Sequence, residues 1–242
     1  SFRNGPARTG VATGAVLGDD VRVVWRAPEF LKLAYSAVKP SAAVWGDGLY
    51  VPSDDGVQWA FDRHTGDVRW SVKLSDAANG IHGSPAVSKA VVWIGTYSGI
   101  VHALDRATGD EVYRFFPGRW IGSSPIYVSA HDAVYVSHET SADGLPGAGL
   151  VTKNDPRTGR AIWTSARLDH YPHSSVAVDA SGGRVFVGAN DGVFRAYDAD
   201  TGDLLWSRDL EPGDEPDPPT ADIKTTPRSE ERRVGKECIV KC

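Results

Sequence analysis

One nine-residue line recurs four times along this chain and limits what the chain can fold into. Each copy starts with aspartate, places a Thr-Gly step three and four residues later, and ends on tryptophan or tyrosine. The copies begin at Asp62, Asp105, Asp155 and Asp198, which are 43, 50 and 43 residues apart. A repeat of this length is typical of the blades of a β-propeller rather than of a helical solenoid.

The residues between the copies predict four short strands in each repeat. A small polar residue leads into an apolar run, a second β-branched or aromatic run follows, and a turn containing glycine precedes a third run. Such runs, separated by Asp-Gly and Ser-Gly steps, are typical of antiparallel strands joined by tight turns. The chain is therefore predicted to be all-β, with four-stranded antiparallel blades. The blades span about 41–72, 84–116, 123–165 and 174–208.

Composition excludes several classes of function. A hydrophobic fraction of 41% is sufficient for a packed core. The net charge of −5 comes without a basic stripe, which argues against a nucleic-acid partner. No window approaches eighteen consecutive apolar residues, so no membrane span is predicted. The sequence also lacks a Ser-His-Asp set, a glycine-rich phosphate loop and an HExxH motif.

The last residues, 228–242, differ in character from the repeats. Residues 228–237 resemble the in-frame translation of a common sequencing-library adapter. We therefore expect 228–242 to be non-native and to be either disordered or a spurious charged helix. Both cysteines, Cys238 and Cys242, lie in this tail, so we assign them no metal or redox role.

The repeat resembles the pyrroloquinoline-quinone (PQQ) type of propeller repeat. Residues 103–109 carry its pattern, a small residue and leucine before Asp-x-x-Thr-Gly, and residues 2–10 resemble its lead-in. The resemblance covers residues 1–227 and implies a periplasmic or extracellular ring of about eight blades. Residues 21–26 then fit the closing strand of the last blade, and 224–227 fit the start of a further one. The chain is thus expected to be an incomplete ring of four blades and two stubs.

The aromatic residue that ends each repeat has a structural role in that family, where it docks between neighbouring blades. A large ring in this gap buries apolar area and leaves an N–H or O–H group free to bond. The resemblance assigns this role to Trp25, Trp70, Tyr113, Trp163 and Trp206. The aspartate and Thr-Gly of the turn are expected to bond their own backbone.

The residues that lead into the first strand of each blade define a candidate binding site. In a four-strand meander these positions share one rim with the turns between the second and third strands. The lead-in positions are Lys39, His82, Gly122, His173 and Lys224. Arg119 and Trp120 precede one of them and extend the same rim. Because two lysines and two histidines form a partly basic mouth, we expect a small anionic ligand or a protein partner there. The alternative is that these polar residues simply face solvent.

An insertion in blade three is a second possible mark of the binding face. This blade exceeds the 43-residue period by seven residues, and the excess lies within residues 138–149. Insertions on one face of a repeat array often mark that face as the binding face. Tolerated loop length explains the insertion equally well.

Two functions fit these observations. A non-catalytic propeller that binds a partner in the cell envelope needs only the fold and a suitable surface. The alternative is a PQQ-dependent alcohol or sugar dehydrogenase, for which the resemblance implies PQQ, calcium, adjacent cysteines and Glu, Asn and Asp ligands. Residues 1–227 contain no Cys-Cys pair and no matching set of ligands. We therefore expect a binding protein, and we assign no catalytic, cofactor or metal residues.

Overall fold

The computed structural model describes residues 22–27, 39–77, 80–141, 147–179, 181–210, 223, 226–231 and 238–241. Within these residues the regular elements are strands, and sixteen of the eighteen strands form four sheets of four. Every sheet is antiparallel. The predicted all-β fold with four-stranded blades is confirmed. No helix in these ranges has the length and hydrophobicity that a bilayer crossing requires.

The four sheets follow one another along the chain. The first comprises β1 (Ala43–Trp45), β2 (Gly48–Pro52), β3 (Val57–Asp62) and β4 (Val68–Lys73). The second comprises β5 (Ala86–Val87), β6 (Val91–Gly95), β7 (Val101–Asp105) and β8 (Glu111–Phe115). The third comprises β9 (Ile126–Val128), β10 (Ala133–Thr140), β11 (Ala148–Asn154) and β12 (Ala161–Thr164). The fourth comprises β13 (Ala177–Val178), β14 (Arg184–Gly188), β15 (Val193–Asp198) and β16 (Leu204–Asp209).

A ladder of hydroxyl groups joins the first strands of successive sheets. The backbone N–H of Ser41 donates to Ser84 Oγ at 2.8 Å, and that of Ser84 donates to Ser124 Oγ at 2.9 Å. The N–H of Ser124 donates to Ser175 Oγ at 2.8 Å, and that of Ser175 to Thr226 Oγ1 at 3.3 Å. The first strands therefore lie side by side, and the order within each sheet places its fourth strand farthest from them.

The hydrophobic core lies between the faces of neighbouring sheets. One cluster combines Tyr50 and Trp70 of the first sheet with Val92 and Leu104 of the second. Similar clusters join the second sheet to the third and the third to the fourth. Each blade thus buries its apolar surface against the next blade, as expected for a repeat array in which one unit cannot form a core alone.

The Asp-x-x-Thr-Gly line forms the turn between the third and fourth strands. The carboxylate of Asp105 accepts hydrogen bonds from the backbone N–H groups of Ala107 and Thr108, at 2.8 and 2.9 Å. These bonds lower the pKa of Asp105, and Gly109 takes a φ of +82° that favours glycine. The other three copies repeat this geometry. The most recognisable motif in the chain therefore forms a turn.

Three tryptophans dock onto the turn of the next sheet. Trp70 Nε1 donates to Arg106 O at 3.1 Å, and a Cβ placed on Gly109 would lie only 2.7 Å from the Trp70 ring. Trp163 makes the same contacts with the fourth sheet, and Trp25 makes them with the first. The acceptor is always the residue that follows the turn aspartate. The structure assigns no strand to residues 22–27, so Trp25 docks without the expected strand pairing.

The second sheet divides this role between two residues. Tyr113 Oη donates to Pro156 O at 2.6 Å, which reproduces the hydrogen bond of the tryptophans. The ring that lies against Gly159, however, belongs to Phe115. The two side chains are two residues apart on β8 and therefore point to the same face. Sequence analysis assigned the position to Tyr113 alone and missed Phe115.

Trp206 occupies the equivalent register in the fourth sheet but has a different environment. It pairs with Ala196, as Trp70 pairs with Ala60. Its ring contacts Phe186 and Phe194 of its own sheet and remains 40% exposed, against 8% for Trp70. No turn of a following sheet covers it among the described residues.

The C-terminal residues differ from the expected disorder or helix. Residues Arg228–Glu231 (β17) and Cys238–Lys241 (β18) form a two-stranded antiparallel hairpin. β17 begins two residues after Thr226, which is the spacing between Ser84 and Ala86 at the start of β5. Thr226 continues the hydroxyl ladder, so the residues after it are aligned like those that start β5, and this alignment favours a strand at Arg228–Glu231. That residues 228–242 are non-native stays a prediction, which resequencing of the gene tests.

Candidate functional site

The lead-in residues and the turns between the second and third strands meet at one end of the sheets. Four of the five predicted lead-in positions lie in the described residues, and Lys224 lies outside them. The strand registers place four polar residues at equivalent positions in the facing turns. These turn residues are Asp54, Tyr97, Glu139 and Asn190. We call the lead-in and turn residues together the rim.

The first half of the rim is centred on Asp54. Lys39 Nζ lies 3.0 Å from Asp54 Oδ2 and 3.0 Å from His82 Nε2. His82 Nε2 lies 3.7 Å from Asp54 Oδ1, and its ring packs edge-on against Tyr97 with centroids 4.4 Å apart. His82 thus lies between the turn residue of the preceding blade and that of its own blade. Its pKa is lowered by burial first and by Lys39 next, so it is neutral near pH 7.

The second half repeats this arrangement with different side chains. His173 Nε2 lies 3.1 Å from Glu139 Oε1, and its Nδ1 lies 3.4 Å from Asn190 Nδ2. The ring of Tyr171 stacks on His173 with an interplanar angle of 5°. The Glu139 side chain is only 8% exposed. His173, like His82, lies between the turn residues of two neighbouring blades.

Tyr97 and Gly122 connect the two halves. Gly122 is the one lead-in position without a side chain, and a Cβ placed there would lie 3.1 Å from Tyr97 Oη. Burial raises the pKa of Tyr97, and the charges of Glu139 and Asp54 raise it further. A carboxylate from each half therefore acts on the same phenol. The rim is one electrostatic site rather than two separate ones.

Arg119 and Trp120 extend the rim beside Glu139. Arg119 Cζ lies 4.3 Å from the centroid of the Trp120 ring, in a cation–π contact. Their backbone is fixed, because Arg119 N donates to Glu139 O at 2.8 Å and Glu139 N donates to Trp120 O at 2.9 Å. Arg119 is exposed, and the nearby Phe116 is 69% exposed. An aromatic and basic patch therefore lies on a rigid support.

The insertion in blade three forms part of that support. Residues 138–140 extend β10 and residues 148–149 extend β11, so the hairpin is longer than its counterparts. Isolated bridges join it to the linkers on both sides, Trp120 to Glu139 and Gly149 to Leu168. His138 lies fully buried at its base, where burial lowers its pKa to about 4. The residues between, 142–146, lie outside the described residues.

The rim is less basic than the sequence indicated. Its described lead-in cation, Lys39, is paired with Asp54, and His173 is paired with Glu139. Sequence analysis named neither carboxylate as a site residue, because it took the site residues from the lead-in segments and included Glu139 only within the insertion 138–149. The strand register could have found them. Tyr50 pairs with Ala43, the first residue of β1, and Tyr135 pairs with Ile126, the first residue of β9. Asp54 and Glu139 lie four residues after Tyr50 and Tyr135. An anionic ligand gains little attraction from charges that are already neutralised.

The described rim does not fit a calcium-bound quinone. Calcium takes six to eight oxygen ligands, several of them from carboxylates. Asp54 and Glu139 lie on different blades, and each already contacts a cationic or imidazole group. In the part of the chain that the structure describes, no three His, Cys, Asp or Glu side chains converge on a metal position.

Comparison with known families identifies the repeat. The profile of the family described as outer membrane protein assembly factor BamB matches residues 13–166 and 147–234. The chain belongs to the BamB family. The predicted PQQ-type propeller repeat is thereby confirmed.

Solved structures show the same fold as this BamB-family chain. BamB from Moraxella catarrhalis is similar to it with a TM-score of 0.60 at 21% identity, covering 80% of this chain and 57% of that one. The quinohemoprotein alcohol dehydrogenase from Comamonas testosteroni gives a TM-score of 0.65 at 18% identity, covering 84% and 39%. At these identities the likeness concerns the fold alone.

Curated relatives of this BamB-family chain include enzymes. Quinohemoprotein alcohol dehydrogenase ADH IIB of Pseudomonas putida is 33% identical over 132 residues, covering 48% of this chain and 19% of that protein. Polyvinylalcohol dehydrogenase of a Sphingopyxis species is 26% identical over 254 aligned positions, covering 84% and 38%. The chain thus spans less than half the length of either relative.

Proposed function

We propose that this chain forms the binding face of a non-catalytic protein scaffold on the periplasmic side of the cell envelope. The partner is a protein, and it docks on the rim beside the extended β10–β11 hairpin. The name of the BamB family, outer membrane protein assembly factor, supports a partner that takes part in outer-membrane protein assembly. The observation that carries the proposal is that the rim carboxylates, Asp54 and Glu139, already contact Lys39 and His173.

Paired charges suit a docking surface better than a cofactor site. Asp54 contacts His82 and Glu139 contacts His173, and each of these histidines belongs to the following blade, so the contacts help to hold neighbouring blades in register. The groups beside them are the exposed Arg119 and Phe116 and the half-buried Trp120. Arginine and aromatic side chains are the residues that contribute most to protein–protein affinity. Because hydrogen bonds to Glu139 fix the backbone of Arg119 and Trp120, a partner has only the side chains to order at these two residues.

Co-purification from the native envelope tests this proposal. The affinity-tagged chain is expected to retain one envelope protein in stoichiometric amount, and Trp120→Ala is expected to reduce that amount at least tenfold, the effect of losing a hot-spot aromatic. Val112→Ala is the matched control, because Val112 is 59% exposed but lies on β8, away from the rim. Equal retention by both variants would refute docking at the rim.

A quinoprotein dehydrogenase is the second candidate, favoured by the 33% identity to ADH IIB over 132 residues. It predicts that this chain contributes to a quinone site. Titration with PQQ and calcium, followed by quinone absorbance and by the melting temperature, tests it. A saturable absorbance change would support the enzyme, and it would also contradict the assignment of the rim to a protein partner. If neither the absorbance nor the melting temperature changes, the described rim is not a quinone site.

A further inference from the structure

Blade three breaks the repeat at one position of its turn. The residue five after the turn aspartate is Asp67, Asp110 or Asp203 in the other blades, and each accepts a hydrogen bond from its turn threonine at 2.7–2.8 Å. In blade three this residue is Arg160. Thr158 Oγ1 bonds instead to Asp155 Oδ1 at 3.2 Å. The turn keeps its shape, and an exposed guanidinium replaces a bonded carboxylate.

This substitution reverses the charge of the turn. The six residues from Asp155 to Arg160 carry a net charge of +1. The equivalent six residues beginning at Asp62, Asp105 and Asp198 carry net charges of −1, −1 and −3. The other arginine of the turn, Arg157, is already bonded to Asp132 at 2.5 Å. Arg160 N donates to Thr158 Oγ1, and Arg160 O accepts from Asp155 N. The Arg160 guanidinium itself has no hydrogen bond or ion pair with the residues that the structure describes. It is therefore a free cation in an acidic chain.

Arg160 lies at a groove beside an unpaired strand edge. The groove has a volume of about 460 Å³ and is lined by Asp155, Thr158, Arg160, Ala161 and Ile162. β12 is the outermost strand of its sheet and pairs only with β11 in the described structure. Its Ile162 is 53% exposed. An edge of this kind offers backbone N–H and C=O groups to an added strand.

We propose that β12 and Arg160 form a docking site for an extended acidic segment of a partner protein, which adds to the sheet as a fifth strand. Arg160 immediately precedes β12, and an irregular register at Ala161–Trp163 interrupts the regular alternation of the strand there. Arg160 and Ile162 nevertheless line the same groove. The matching segment therefore carries both a carboxylate and an apolar side chain. Arg160 binds the carboxylate in a charge-assisted pair, and Ile162 packs against the apolar group.

The site is distinct from the rim and does not depend on the function proposed for it. β11 runs from the rim at Ala148 to Asn154, and the Arg160 turn follows at the opposite end of the sheet. The other three outer strands have comparable exposed apolar residues, Val68, Val112 and Leu205. Their turns are anionic and would repel an acidic segment. Selectivity for β12 therefore comes from Arg160.

Peptide binding to the 242-residue chain tests the proposal. The probe is a fluorescent, end-blocked six-residue peptide that alternates glutamate and valine, and its affinity is measured by fluorescence polarisation. Arg160→Asp is expected to weaken binding about tenfold or more, since a charge-assisted pair becomes a repulsion. This variant gives blade three the residue of the other blades, so its melting temperature is expected to be unchanged or higher. Binding that survives Arg160→Asp would overturn the proposal.

Two control peptides and one further readout locate the site. A lysine–valine peptide is expected not to bind, and a glutamate–valine peptide with central proline is expected to lose binding because proline cannot donate to the ladder. Backbone amide shifts on titration are expected at Ile162 and Thr164. Equal binding of the proline peptide would overturn strand addition. Self-association that Arg160→Asp abolishes, measured by sedimentation, would assign the edge to a second copy and would equally overturn the proposal.

Discussion

Removing the ring of Trp70 is expected to destabilise this array far more than removing the ring of Trp206. Both residues occupy the same register, but Trp70 is 8% exposed and Trp206 is 40% exposed. For a side chain that buries roughly 250 Å² when fully covered, this difference corresponds to about 80 Å². At about 25 cal/mol per Å², the extra burial is worth about 2 kcal/mol.

The hydrogen bond adds to this difference. Trp70→Ala leaves Arg106 O without its Trp70 Nε1 donor, and a lost hydrogen bond costs about 1 kcal/mol. We therefore expect Trp70→Ala to lower the free energy of unfolding by about 3 kcal/mol more than Trp206→Ala, within the range for large core truncations. Urea unfolding followed by tryptophan fluorescence measures both values. Equal losses, or a larger loss for Trp206→Ala, would refute the docking role of Trp70.

Three further predictions concern the turns and the buried histidine. Hydrogen bonds lower the pKa of Asp62 to about 2, so the melting temperature is expected to fall as the pH drops from about 4 to 2, less steeply in Asp62→Asn. Burial lowers the pKa of His138 to about 4, so the unfolded state binds the extra proton between about pH 6.5 and 4. The free energy of unfolding is expected to fall by about 3 kcal/mol as the pH drops from about 6.5 to 4. A urea midpoint that stays the same over this range would contradict this. Gly109→Ala, which puts a Cβ 2.7 Å from Trp70 at a φ of +82°, is expected to cost about 2–4 kcal/mol in urea unfolding. Gly183→Ala, with only Ser181 Oγ nearby, is its control.

The fold could be predicted from the sequence because each repeat contains residues that predict its own strands. The Thr-Gly step, the small residues before the first strand and the terminal aromatic all recur at fixed spacing. Phe115 escaped the prediction because its contact with Gly159 of the next blade depends on how the two sheets pack, which spacing alone does not show. For residues 228–242, where disorder or a helix was expected, the structure has the strands β17 and β18, which a charged composition alone does not indicate.

The candidate site could be predicted only in part. Lys39 and His82 lie in contact, and His173 contacts a turn residue of the preceding blade in the same way as His82. The charge of this site depends on Asp54 and Glu139. Asp54 contacts Lys39 from a turn 15 residues later in the same blade, and Glu139 contacts His173 from the preceding blade. Pairing across blades is a property of the packed array. The small anionic ligand stays a prediction, and the paired carboxylates of the rim do not favour it.

Site-specific photo-crosslinking in living cells tests most directly the claim that the rim binds a protein. A photoreactive phenylalanine analogue replaces Phe116 beside the rim or, as the control, Val112 on the outer strand, positions 69% and 59% exposed. We predict that the analogue at 116 crosslinks one envelope protein, that Arg119→Ala reduces this product, and that the analogue at 112 does not give it. Equal products at both positions, or none at 116, would contradict a docking face at the rim.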